Sequence, residues 1–435
     1  MTTTRLAAAA AAVLLLSSPT SSQSIPGVPV IDTIIVVGNE KTEAYVILDE
    51  MTLQPGSPVR PAQLAYDRDR IYSLGLFTTV DLQFDSVNVP RTLFVMVRER
   101  WHIIPHLIIG FRDGDPKKIY YGAGFLHNNL RGRNQKLYLS LAFGYDPAFA
   151  LSYLDPLFDH ENRLSLGFSL SYSRIHNRSV TSAAAGDFYE NHYDAFATLG
   201  KRFNLDERLG LRFGFSSVVV SEYKEGRTQS PDGRDDFLTL GLQYTFDTRD
   251  LAEYPSRGAF TDLSIVKIGL GEGDVNYGRA GFDLRRYEPT LFDITFVARG
   301  YGSLVFGGNV PLYGRAYLGY AERVRGYFTD VFEGEDVVLG TVEFRLPIIT
   351  PEVFHLKGLP IPKEFAFWRI GLGLTVFGDV GTTWVRGDHI TYSSFRSGYG
   401  AGLDLILPYS FMVRVSYAFN DRGRGEFIFD LRKAI

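Results

Sequence analysis

Leu164–Tyr172 reads LSLGFSLSY. Side chains alternate between the two faces of an extended chain. Leu164, Leu166, Phe168, Leu170 and Tyr172 therefore share one face, and Ser165, Gly167, Ser169 and Ser171 share the other. The same two-residue rhythm returns at Leu238–Phe246 and at Phe411–Phe419, where Arg414 and Ser416 lie on the polar side. A water-soluble sandwich also alternates, but it turns its charged face outward. Here the polar face is built from small residues with scattered Arg and Asp, and the apolar face carries aromatics near strand ends. That pattern fits a barrel with lipid outside and a polar lumen inside.

From Trp101 onward, strand starts fall near His102, Lys117, Asn134, Ala148, Glu161, Tyr189, Glu207, Asp235, Gly258, Val275, Leu291, Asp336, Arg369, Ser397, Ser410 and Gly425. Sixteen is an even count, as bacterial outer-membrane barrels require, and about 21 residues per strand plus connection leaves room for spans of about 9–11 residues. Residues 101–435 are thus expected to form a sixteen-stranded antiparallel transmembrane β-barrel. The connection over 305–335 is too long for passive linkage and reads as a functional loop.

Upstream the pattern changes. Residues 25–100 are expected to form a small α+β domain. Ile31–Val37 is a strand ending at Gly38-Asn39. Thr42–Met51 is a helix with Thr42 as N-cap and Tyr45, Leu48 and Met51 on one side. Pro61–Leu74 is a second helix, and two strands follow at Thr79–Asp85 and Thr92–Arg98. Residues 1–24 read as an export signal: Arg5, then the apolar run Leu6–Leu16, then the small polar stretch Ser17–Ser24.

Composition narrows the functional classes. Among 435 residues, aromatics reach 14% and β-branched residues are abundant, which argues against low-complexity disorder. Beyond the export segment, no apolar run nears the ~18 residues of a spanning helix. Lys plus Arg number 45 against 49 Asp plus Glu, which disfavours nucleic acid as a partner. With no cysteine, disulfides, thiolate metal sites and thiol nucleophiles are excluded. Eight histidines lack a paired metal-ligand spacing, and no serine sits in a nucleophile elbow. Pro231–Asp236 is acidic but reads as a solvated turn, and Asn177-Arg178-Ser179 is a chance glycosylation triplet. No metal, no cofactor and no enzymatic activity are expected.

Several motifs carry a family resemblance. Val37-Gly38-Asn39, Leu53-Gln54-Pro55-Gly56 and Tyr72 to Val80 (YSLGLFTTV) resemble a single POTRA module. Asn129-Leu130-Arg131-Gly132, Ser152 to Phe158 (SYLDPLF), Asp247-Thr248-Arg249-Asp250 with Pro255 to Gly258 (PSRG), and Val324-Arg325-Gly326-Tyr327 follow in order along the barrel. Together they resemble the BamA-type superfamily of outer-membrane assembly factors and two-partner-secretion transporters. The resemblance implies a bacterial outer-membrane location with the POTRA domain in the periplasm. It also implies that the long loop folds into the lumen, where Arg325, Gly326 and Tyr327 lock against Glu343 and Asp379. A guanidinium suits that role because its planar fork binds carboxylates bidentately. Phe377 shares a face with Asp379 and Gly381, so apolarity alone does not orient that strand, and the motif does.

The implied partners are the lipid bilayer, unfolded outer-membrane proteins and accessory outer-membrane lipoproteins. Clients would be captured by strand addition along the POTRA edge strands, residues 79–98, and inserted through a weak seam between His102–Phe111 and Gly425–Arg432. Pro105 removes one ladder donor from the first of these strands. A secretion pore for a soluble partner and a passive structural barrel are the alternatives.

Overall fold

A computed structural model describes residues 29–433, apart from 113–115, 180–181, 183, 272, 329, 357–365 and 409–410. The export segment and the strand start at Ser410 lie outside the described residues.

The small domain contains β1 (Thr33–Val37), α1 (Ala44–Leu48), α2 (Pro61–Ser73), β2 (Phe77–Asp85) and β3 (Thr92–Glu99). Pro61 opens α2, where its missing N–H has no intrahelical partner to lose. Ile31, Ile47, Leu53, Ile71, Leu76, Leu93 and Val95 are packed away from water between the helices and the sheet. Each such side chain contributes about 1.5–3 kcal/mol. The helix over Thr42–Met51 is shorter than expected. Its first residue is Ala44, its buried positions are Val46 and Ile47, and Leu48 is exposed. Thr42 does not cap it: its hydroxyl donates to Glu99 Oε1 at 2.6 Å and accepts from Asn129 Nδ2 at 2.8 Å. The potential cap is thus committed to contacts with β3 and the barrel.

The sheet order is β1-β3-β2, with β1 parallel to β3. This corrects the expectation that residues 79–98 are edge strands. Within that range β2 is an edge, but β3 is central, because after the helices and β2 the chain returns to lay β3 beside β1. The second edge is β1, where Ile35 and Val37 are exposed.

The barrel strands are β4 (Ile103–Phe111), β5 (Ile119–Leu130), β6 (Gln135–Gly144), β7 (Ala148–Asp159), β8 (Leu164–His176), β9 (Tyr189–Arg202), β10 (Glu207–Val220), β11 (Arg234–Asp247), β12 (Gly258–Ile268), β13 (Tyr277–Pro289) and β14 (Thr295–Gly307). Within the long connection lies a short hairpin of β15 (Ala316–Leu318) and β16 (Phe332–Gly334). Then come β17 (Asp336–His355), β18 (Phe367–Trp384), β19 (Arg396–Leu407), β20 (Phe411–Asn420) and β21 (Gly425–Lys433). Sixteen of these form one antiparallel sheet in chain order, with β14 pairing β17 across the connection. The outer face is the apolar one: Phe168 and Leu170 are half exposed, whereas Thr239, Thr375 and Ser416 are buried on the lumenal side. Among the described residues no ladder joins β4 to β21, the two ends of the sheet.

The small domain docks on the turns at one end of the barrel. Glu43 N–H donates to Gly132 O at 2.9 Å in the β5–β6 turn, and Ala252 N–H, in the β11–β12 turn, donates to Ser73 Oγ at 3.1 Å. His160 and Asp49 lie 2.8 Å apart across the same boundary.

Candidate functional site

Residues 308–335 leave β14 at the far end of the barrel and descend into the lumen. Arg325 is 5% exposed. Its Nε and Nη2 donate to the two oxygens of Asp379, both at 2.6 Å, and its own backbone N–H adds a third bond to Oδ2 at 3.0 Å. Nη1 donates to Glu343 Oε1 at 2.7 Å. The structure therefore brings together three of the residues singled out in the sequence. Phe377, whose lumenal position conflicted with an apolar-outward rule, has the Arg325 guanidinium 3.6 Å above its ring. A desolvated cation over an aromatic face is favourable, so this aromatic belongs to the polar site.

Alternation on four consecutive strands extends the cluster. Glu343 and Arg345 stand on the lumenal face of β17, and Arg345 donates to Glu343 Oε2 at 2.9 and 2.7 Å. Asp404 on β19 and Arg414 on β20 are direct cross-strand partners, a pairing that favours opposite charges. Arg414 bridges Asp404, at 2.6 and 2.9 Å, to Glu343 Oε1, at 2.8 Å. Thr375 and Tyr254 donate to Asp404 Oδ2 at 2.6 and 3.2 Å. Three arginines meet three carboxylates, so the buried cluster is formally neutral. That balance is what makes burial of six charges tolerable.

The backbone approach requires glycine at two points. Gly326 has φ +102°, and a Cβ there would stand 2.8 Å from Phe419 O. A Cβ on Gly398 of β19 would stand 1.7 Å from Arg325 O, so this strand can accept the loop only without a side chain. Gly326 O accepts from Asn420 Nδ2 at 2.9 Å. Tyr327 is fully buried and its hydroxyl donates to Asp421, while the Phe328 N–H donates to Glu426. The loop motif thereby holds the β20–β21 hairpin, the last of the sheet.

Other loop contacts were not read from the sequence. Glu322 accepts from Arg299 on β14 at 2.7 and 2.8 Å, and Arg299 also binds Asp283. Its signal was available: an acid three residues before Arg325, in a loop that enters a charged lumen. Glu333 pairs with Arg315 at 3.0 Å and accepts from Ser179. Tyr313 donates to Asp235 Oδ2 at 2.7 Å. The Pro231–Asp236 segment is therefore not wholly a solvated turn, because Asp235 is fully buried and also accepts the N–H groups of Gln229 and Ser230. Among the described residues no group of three or more His, Cys, Asp or Glu is arranged to hold a metal ion.

Residues 129–431 match the model of the Omp85 superfamily domain, and residues 29–100 match the POTRA model described as surface antigen variable number repeat. The outer membrane protein assembly factor BamA of Neorickettsia risticii is 25% identical over 413 residues, covering 89% of this chain and 52% of the relative. The chain spans about half or less of the length of the curated relatives it matches. Among solved structures, BamA from Haemophilus ducreyi lacking POTRA domains 1–3 superposes with a TM-score of 0.56 at 17% identity, covering 93% of this chain and 83% of that one. CdiB from Acinetobacter baumannii superposes with a TM-score of 0.51 at 16% identity, covering 93% and 73%.

Proposed function

Since the chain belongs to the Omp85 superfamily, an outer-membrane barrel with a periplasmic POTRA domain, we propose that it assembles other barrel proteins into that membrane. In this reading unfolded clients arrive at a POTRA edge strand and enter the bilayer at the β4–β21 seam. The observation that carries the proposal is the seam itself: the terminal strands of a sixteen-stranded sheet share no ladder among the described residues. Leu107 of β4 and Phe427 of β21 are 80% and 76% exposed, against 42% for Leu211 in mid-sheet. Unpaired strand edges are templates for strand addition, and a client hairpin would satisfy both. Pro105 weakens β4 further by removing one donor. Covalent chemistry is not needed for this work, because client folding in lipid supplies the free energy through backbone pairing and apolar burial.

The test is reconstitution of the full chain in vesicles with an unfolded outer-membrane barrel as client. Faster appearance of heat-modifiable, protease-resistant client than in empty vesicles is expected, with the acceleration lost when residues 29–98 are removed. Equal rates with and without the full chain would refute the reading. The second reading, export of a soluble partner through the lumen, predicts protected soluble protein inside the vesicles instead.

A further inference from the structure

At the periplasmic mouth the lumen wall and the POTRA domain enclose a cavity of about 530 Å³. Seven cationic side chains and three carboxylates line it, a surplus of positive charge opposite to the neutral balance around Arg325. Arg202 and Arg208 face each other across the β9–β10 ladder. Like charges directly opposed on neighbouring strands are destabilising unless something compensates them. For Arg202 the compensation is Glu50 of the POTRA domain, whose two oxygens accept from it at 2.7 and 2.8 Å and whose Oε2 also accepts from Arg70 at 2.9 Å. Asp206 is taken by Arg70 at 3.1 Å, and Asp247 by Arg249 at 2.8 Å. All three carboxylates are therefore committed. Arg208 is exposed to the cavity and makes no hydrogen bond or ion pair with any described residue.

We propose that this vestibule binds a carboxylate-rich segment of polypeptide, with Arg208 as the principal contact. Glu50 displays the chemistry in place: a side-chain carboxylate held by two guanidinium groups in a site largely removed from bulk water. Such charge-assisted forks are strong and directional. Arg208 alternates with Leu209 and Leu211, which face lipid, so bilayer headgroups lie on the wrong side of the wall to reach it. The cavity instead lies between the lumen wall and the POTRA domain, where a chain released from that domain would pass, and its positive field would concentrate acidic segments there. This inference rests on the reading that unfolded polypeptides are handled at that domain.

The test titrates the full chain in detergent micelles with a fluorescein-labelled peptide of alternating Glu and Ser, about twelve residues long, and with its Gln-for-Glu counterpart. Anisotropy is expected to show at least tenfold tighter binding of the acidic peptide, weakening as salt is raised. Arg208→Gln should weaken it about tenfold, and Arg208→Lys less, because Lys keeps the charge but not the fork. Arg212→Gln, higher on the same wall, should leave it within about twofold. Heat-modifiability of each variant verifies folding. Equal affinity for the two peptides, equal losses in the Arg208 and Arg212 variants, or displacement of the peptide by inorganic phosphate at matched charge would overturn the proposal. The titration requires no assembly activity. A protein that inserts clients but binds both peptides alike defeats the vestibule alone, whereas failed insertion with intact discrimination defeats only the functional reading.

Discussion

Arginines and carboxylates meet in the lumen at two heights with different bookkeeping. Around Arg325 three guanidinium groups face three carboxylates, each acid has at least one short partner, and the cluster is closed. At the mouth the cations outnumber the acids, and Arg208 makes no hydrogen bond or ion pair with any described residue. A neutral, geometrically exact network resists rearrangement, because every exit strands a buried charge. A surplus invites a ligand. The contrast assigns holding to the upper cluster and capture to the lower one.

The largest effect is expected from Arg325→Ala. Every hydrogen bond described for the Asp379 carboxylate comes from Arg325, whereas Glu343 keeps Arg345 and Arg414. Stranding Asp379 should cost about 3–5 kcal/mol and open residues 308–335 to limited proteolysis. Arg325→Lys should protect the loop poorly, and adding Asp379→Asn to Arg325→Ala should recover part of the loss by removing the stranded charge.

Glu50→Gln comes next. It removes the carboxylate that joins Arg70 to Arg202, at about 1.5–3 kcal/mol, and should increase hydrogen exchange along the POTRA–barrel boundary. The same contact is pH-sensitive. Burial pushes the Glu50 carboxyl up, but the hydrogen bonds from Arg202 and the charges of Arg202 and Arg70 outweigh it and hold the group below its usual 4.5. A depressed acid contributes its full stabilisation above the unfolded value and loses it as pH falls through the folded one. Wild-type docking should thus weaken only below about pH 4.5, and Glu50→Gln should flatten that acid limb.

Glu322→Gln should be milder, about 1–1.5 kcal/mol, since Arg299 keeps Asp283. It should raise proteolysis near residue 322 while leaving cleavage near Arg325 almost unchanged. Smallest is Tyr327→Phe, which deletes the bond to Asp421 but keeps the buried ring on Phe332; a loss of about 0.5–1.5 kcal/mol should appear as a modest drop in thermal stability.

The barrel was legible because a strand repeats its rule every two residues, and the rule held over long runs such as Leu238–Phe246. Local signals failed where tertiary contacts used the same residues. Thr42 has the chemistry of a helix cap, yet Glu99 and Asn129 claim it. The central place of β3 depends on its parallel pairing with β1, from before the helices, which no hairpin signal between β2 and β3 reveals. Arg325, Glu343 and Asp379 could be named from their motifs. Asp404 and Arg414 could not, since each alone is one polar residue on a polar face, and only the β19–β20 register makes them partners. Phe377 was legible as an anomaly, and the guanidinium stacked on it explains why an aromatic sits inward.

The central claim is that clients enter the membrane at the β4–β21 seam, and site-specific photocrosslinking tests it directly. A photoreactive residue would replace Leu107 in β4 or Phe427 in β21, with Leu240 in mid-sheet as the control position, and adducts would be collected in cells during active synthesis of outer-membrane proteins. The account predicts adducts with nascent barrel proteins at both seam positions and none at Leu240. Equal labelling at all three positions, or seam adducts with a single soluble exported protein, would contradict it.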